Sequence, residues 1–155
     1  MSCNINIFPL DIIFVLVYYS TKTLIHMKEG DKLEFNNNIP IYLQVIEKVK
    51  QDIVSGKLKP GEKMQSSREY SNELGINFNT VARVYKELEM EEIVFTKRGL
   101  GTFITESTEQ INNLRYDMAK KQIVTFIKGM KQLGYTKEEM IRFIETENNY
   151  IEGNE

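Results

Sequence analysis

Two short stretches of this chain carry side chains suited to reading a nucleic acid. Asn77, Asn79 and Thr80 fall within four consecutive residues. An Asn amide donates and accepts at once, so it can bond the edge of an adenine in bidentate fashion; a Thr can bond a phosphate or touch a thymine methyl. Ala82 follows on the same side and can make an apolar contact there. Further on, Lys97 and Arg98 precede Gly99, and two cations in a Gly-containing turn can enter or border a minor groove. Arg68 lies upstream, where a phosphate would suit it. Each residue also has a plainer use. Asn77 can simply cap a helix. Arg68 can be a solvated surface cation. Arg83 can pair with Glu87 four residues on, which is worth only a few tenths of a kcal/mol. Lys97 and Arg98 can be ordinary charge protection of an edge strand.

The familiar constellations of catalysis do not appear. There is one cysteine, Cys3, and one histidine, His26. A lone Cys closes no intrachain disulfide, and the pair has no metal-ligand spacing. No phosphate loop, paired-His motif or nucleophile elbow occurs. We therefore expect no enzyme, no metal and no cofactor. The cysteine usage fits a reducing cytoplasm. A hydrophobic fraction of 41% in 155 residues suffices for one core, and 27% charged residues of mixed sign fit a folded surface. The formal net charge of −2 does not announce a nucleic-acid partner. Residues 39–105 carry ten Lys/Arg against nine Asp/Glu. A cationic face must therefore come from local clustering.

The elements that would position these residues can be traced from hydrophobic spacing. Pro40 opens a helical pattern in Tyr42, Val45, Ile46, Val49 and Ile53, and Gly56 suits its stop. Pro60 and Gly61 mark a turn. Ser66 and Glu69 form a capping box for a second helix, which Gly75 ends. Asn77 is a good N-cap for a third, with Val81, Val84, Tyr85 and Leu88 as its apolar stripe. Two short helices joined by a tight turn make a helix-turn-helix, whose second helix presents its N-terminal residues to the major groove. Residues 93–96 and 102–105 are rich in strand formers and flank the Gly99 turn, giving a hairpin wing.

Beyond the wing, a long amphipathic helix spans about 109–133. Its stripe includes Leu114, Met118, Ile123, Phe126, Ile127 and Met130, which can be core, with the two tail helices folded back on their own domain, or, as we expect, a dimer seam. Gly134 stops it, and Thr136 with Glu139 makes a second capping box for a last helix. The polar end from Asn148 on is expected to fray. At the other end, residues 5–19 are strongly apolar yet too short to span a membrane, and Pro9 and Asp11 interrupt them. They can be an extra packed element, a membrane or partner contact, or sequence upstream of a start at Met27. We favour the last, with residues 1–26 dispensable.

Residues 65–104 resemble the DNA-binding domain of the GntR family of bacterial regulators. The resemblance rests on Ser66, Arg68 and Glu69, then Leu74, Gly75 and Ile76. It continues through Asn79, Thr80, Val81, Arg83, Tyr85, Leu88 and Glu89, and ends on Arg98, Gly99, Gly101, Thr102 and Phe103. Pro40, Ile41, Tyr42 and Gln44, with Gly56, Leu58, Pro60 and Gly61, extend it upstream. The turn at Leu133, Gly134, Tyr135 and Thr136 is similar to that of the YtrA subfamily, whose short tail serves dimerisation. The resemblance implies a DNA-contacting set of Ser66, Arg68, Asn77, Phe78, Asn79, Thr80, Ala82, Arg83, Lys97, Arg98 and Gly99. Several residues depart from the pattern. Phe78 stands where Pro is common, Leu100 where Arg is common, and Glu92 where Gly ends the recognition helix. A Glu in left-handed backbone costs on the order of 1 kcal/mol.

The expected protein is mostly α with a small β-wing. An N-terminal extension (residues 1–38) precedes a winged helix-turn-helix (39–105), and a two-helix dimerisation tail (106–155) follows. Its expected partners are double-stranded operator DNA and a second copy of itself. The competing reading is a winged-helix interaction module that binds no DNA.

Overall fold

The structure is a computed structural model that describes residues 35–152. The apolar N-terminal stretch, and with it the expected start at Met27, lies outside the described residues. Five helices and two strands follow in the order α1 (Ile41–Val54), α2 (Ser67–Leu74), α3 (Phe78–Met90), β1 (Val94–Lys97), β2 (Gly101–Ile104), α4 (Thr108–Gln132) and α5 (Lys137–Glu152). The mostly helical architecture with a two-stranded wing is the expected one. No helix among the described residues is long and apolar enough to cross a membrane.

Two compact units divide the chain. Among the described residues, one runs to Asp117 and the other begins at Met118. The first has a continuous apolar core. Val45, Val49 and Ile53 of α1 meet Val81, Val84 and Leu88 of α3, with Ile93, Val94 and Ile104 from the wing. Ile111 joins this core from α4, and Leu114 packs against it. The winged unit thus extends past the end of its wing into the first turns of α4.

Local chemistry accounts for each element. Pro40 sits just before α1 as its N-cap, where its missing N–H costs nothing. In α2, the Glu69 N–H donates to Ser66 Oγ and the Ser66 N–H donates to Glu69 Oε2, closing the expected capping box. Gly75 ends α2 at φ 64°, a left-handed conformation that glycine adopts without strain. Ser71 is buried, and its hydroxyl donates to the Arg68 carbonyl. Tyr85 is buried as well, and its hydroxyl donates to the Gln65 carbonyl at 2.9 Å. That bond ties the recognition helix to the residue preceding α2. Burial, with nearby Glu73 and Glu69, raises the Tyr85 hydroxyl well above its ordinary range and keeps it a donor.

At the end of α3, Glu92 adopts φ 59°. The left-handed backbone is therefore retained although the residue is not glycine. Its carboxylate accepts from Gln110 Nε2 at 2.8 Å, an exposed bond that offsets little of the strain. We expect Glu92→Gly to stabilise the protein by about 0.5–1 kcal/mol. Urea unfolding checks this, and an unchanged or lowered midpoint would refute it.

The wing has more edges than two strands provide. β1 and β2 pair antiparallel with Val94 opposite Ile104, Phe95 opposite Phe103, Thr96 opposite Thr102 and Lys97 opposite Gly101. On its other edge β2 bonds residues 61–64. The Gly61 N–H donates to the Ile104 carbonyl, the Ile104 N–H to the Glu62 carbonyl, and the Met64 N–H to the Thr102 carbonyl. The segment expected only as a turn thus covers the inner edge of the wing. The outer edge is held from α3, where Glu89 accepts the Thr96 N–H at 2.9 Å.

The second unit is built on the C-terminal helices. Met130 and Met140 are buried, and Tyr135 meets Phe143 edge to face at 6.1 Å. Gly134 turns the chain at φ 87°. The Glu139 N–H donates to Thr136 Oγ1, and the Thr136 N–H donates to Glu139 Oε2, forming the second capping box. Helix α5 runs on to Glu152, with no Gly or Pro in it before Gly153.

Both capping carboxylates give the fold an acid dependence. The amide and hydroxyl of Ser66 hold Glu69 below the usual carboxylate range, and those of Thr136 do the same for Glu139. A depressed folded-state value gives stability that is present above the unfolded value of about 4.5 and lost as pH falls below it. We expect unfolding midpoints to fall as pH drops from about 5 to about 3, and Glu69→Gln to flatten part of that slope.

Candidate nucleic-acid interface

The candidate residues sit on three pieces of the winged unit. The first is the opening turn of α3. Asn77 caps it, its Oδ1 accepting the Asn79 N–H at 2.8 Å. One acceptor lone pair of Asn77 is therefore committed to the helix, while its amide hydrogens stay available. The cap is thus present, and it leaves those amide hydrogens for a base contact. Asn79 is exposed, and its side-chain amide forms no hydrogen bond among the described residues. Phe78 is exposed too, while Thr80 and Ala82 are half-buried beside it. The unpaired N–H groups and dipole of this helix end favour an anion such as a phosphate.

The second piece is the first turn of α2. Ser66 spends its hydroxyl on the capping box, and Arg68 is exposed without an ion pair among the described residues. A cation at a helix N-terminus is unfavourable unless an anion faces it. A DNA backbone lying across α2 and the N-terminus of α3 would supply one.

The third piece is the tip of the wing. The Leu100 N–H donates to the Lys97 carbonyl at 2.9 Å and closes a four-residue turn. Gly99 occupies its third position at φ 77°, which a side chain would strain. Arg98 thus projects from the tip with no acid paired to it among the described residues. Lys97 is different. Its Nζ lies 5.1 Å from the Phe95 ring centroid and 4.9 Å from that of Phe103, and the two rings stack at 5.9 Å. The rings hold the stem while the ammonium stays at the surface, a pre-positioned cation on a stiff hairpin.

Arg83 is engaged elsewhere. Its guanidinium lies 3.6 Å over the Tyr42 ring, and its Nε is 3.7 Å from Glu87 Oε1. Lys50 of α1 pairs with Glu91, the C-cap of α3. Both pairs have the same sequence offset, so α1 and α3 run side by side in the same sense. The start of α1 therefore lies at the same end of the domain as the start of α3. Gln44 organises that end. It accepts the Asn36 N–H at 2.8 Å and donates to the carbonyls of Ile39 at 2.6 Å and Asn36 at 2.9 Å. Neither Gln44 nor Tyr42 was singled out for its role, because their partners give no local signal.

The assembled geometry has an amide-rich helix tip, a free Arg on the preceding helix and a cationic hairpin tip. That combination has a counterpart among known proteins. The family described as "Bacterial regulatory proteins, gntR family" matches residues 41–104. The HTH-type transcriptional regulator YhcF of Bacillus subtilis is 41% identical over 113 residues, covering 73% of this chain and 93% of that relative. The chain belongs to the GntR family. The HTH-type transcriptional repressor YtrA of Bacillus subtilis is 34% identical over 114 residues, 73% of this chain and 88% of its own. In structure, a GntR family transcriptional regulator from Listeria monocytogenes superposes with a TM-score of 0.69 at 38% identity. It covers 72% of this chain and 98% of its own. This GntR protein is thus a DNA-binding transcription regulator of the short-tailed, YtrA-like kind. Its winged helix is the family's fold.

Proposed function

We propose that this regulator represses transcription by binding a palindromic operator as a homodimer in the cytoplasm. DNA is met by the set expected above, with Asn77, Phe78, Asn79 and Thr80 in the major groove, Arg68 on the backbone, and Lys97, Arg98 and Gly99 at the minor groove. Arg83, already stacked on Tyr42, serves the interface by fixing α1 against α3 and reaches DNA only with its outer edge. Repression is supported by the likeness to YtrA, which is named a repressor.

The observation that carries the dimer is an apolar ridge on α4. Ile123, Val124 and Ile127 are 53%, 41% and 37% exposed, and Ile127 lies one turn on from the adjacent Ile123 and Val124, on the same side of the helix. Exposed apolar side chains gathered in this way favour a partner, and a second copy related by a two-fold axis would cover both ridges at once. Phe126, half-buried beside Ile123, extends that seam, while half-buried Met118 lies round the helix from it. Leu114 is engaged by the winged core and Met130 is buried, so the seam centres on Ile123 and Ile127. Two recognition helices would then face successive major grooves, with half-sites about one helical turn apart.

A gel shift with the DNA upstream of the protein's own gene tests the proposal. We expect a single shifted species that unrelated DNA of equal length does not compete away. Equal competition by unrelated DNA would refute operator recognition, and no shift at all would favour the interaction module.

A further inference from the structure

Phe78 is the first residue of α3 and lies between two amides, yet 46% of it is exposed. It takes no part in the apolar core, whose α3 members are Val81, Val84, Tyr85 and Leu88. The capping bond from Asn79 N–H to Asn77 Oδ1 fixes the backbone on either side of it, so the ring is held at the tip of the helix. An aromatic ring kept in water at the point of contact is unfavourable until something apolar covers it. The edges of unmodified base pairs offer one apolar group in the major groove, the C5-methyl of thymine. We propose that Phe78 is a specificity-determining residue that packs on a thymine methyl in each half-site. The inference rests on the DNA-binding role of α3 and adds what its tip selects. The flanking amides suit that assignment. Asn79 can bond the adenine of a neighbouring pair, so the tip favours an A/T-rich step.

The test separates the methyl group from everything else in the base pair. Duplexes enriched by the full chain from a randomised pool are resynthesised with each thymine replaced singly by deoxyuridine, which lacks only that methyl. We expect one thymine per half-site at which uracil weakens binding roughly fourfold, the worth of one buried methyl group. In Phe78→Ala the same replacement should cost nothing, and in Phe78→Leu part of the effect should return. Thermal unfolding of both variants should match the parent, because the side chain supports no core contact. Uracil tolerated at every position, or an undiminished uracil penalty in Phe78→Ala, would overturn the thymine assignment while leaving DNA binding intact. A pool that yields no enriched duplex would overturn DNA recognition itself, and the assignment with it.

Discussion

Replacing Ile123 and Ile127 together by Asp is expected to yield a folded monomer whose operator affinity is lower by at least about 10²-fold. The size follows from linkage of two half-sites. When two winged domains are joined, the second binds at a high effective concentration, and avidity of about 10²–10⁴ is lost when the joint fails. Both side chains are exposed in the single chain, so the change should leave its fold intact. Within a two-fold seam, however, it would bring four carboxylates together in an apolar contact, and burying unpaired charge there is prohibitive. Sedimentation at micromolar concentration reads the assembly, and circular dichroism reads the fold. A parent that already sediments as a monomer would overturn the dimer, and a variant that still dimerises would place the seam elsewhere.

Salt should act at least as strongly. With Arg68 on the backbone and Lys97 and Arg98 on the phosphates that border the minor groove, a dimer would make about six phosphate contacts, each releasing condensed counterions. Affinity should then fall on the order of 10³-fold between 50 and 200 mM salt, despite a formal net charge of −2. The two arginines can be weighed separately. Arg68→Ala and Arg98→Ala should each weaken binding and each lower the logarithmic salt slope by about two, one contact per protomer at roughly 0.9 per phosphate. Arg83→Ala should behave otherwise. Its guanidinium lies on Tyr42 and beside Glu87, so its loss should lower stability more than it changes the salt slope. An unchanged slope in the Arg68 and Arg98 variants would remove them from the phosphate contacts.

Much of this arrangement was legible because its signals are local. The Ser66–Glu69 and Thr136–Glu139 boxes span four residues each, and both close as their spacing implies. Gly75 and Asn77 mark the turn between α2 and α3 through backbone demands that few other residues meet. The wing showed itself by strand formers on both sides of Gly99. The contacts that escaped are long-range. Residues 61–64 pair with β2 some forty positions away, and nothing in a Pro-Gly turn announces a strand edge. The stacking of Arg83 on Tyr42 joins two helices whose register emerges only when α1 packs on α3. The long stripe of α4 is harder to read for a related reason. An apolar helical face says that something covers it, and not what. Leu114 is claimed by the winged core, Met130 is buried, and Ile123 and Ile127 remain exposed.

The central claim is that the tip of α3 and the tip of the wing touch DNA. Photo-cross-linking tests it at single residues. A photoreactive amino acid is placed at Asn79, at Arg98 or at Ser55, an exposed residue just past α1 at the end of the domain away from the start of α3. Each full-chain variant is irradiated with the DNA upstream of its own gene. Cross-links to the duplex from positions 79 and 98, with none from position 55, are the expected result. Cross-linking from position 55 alone, or equally from all three, would contradict a DNA-binding face built from α3 and the wing.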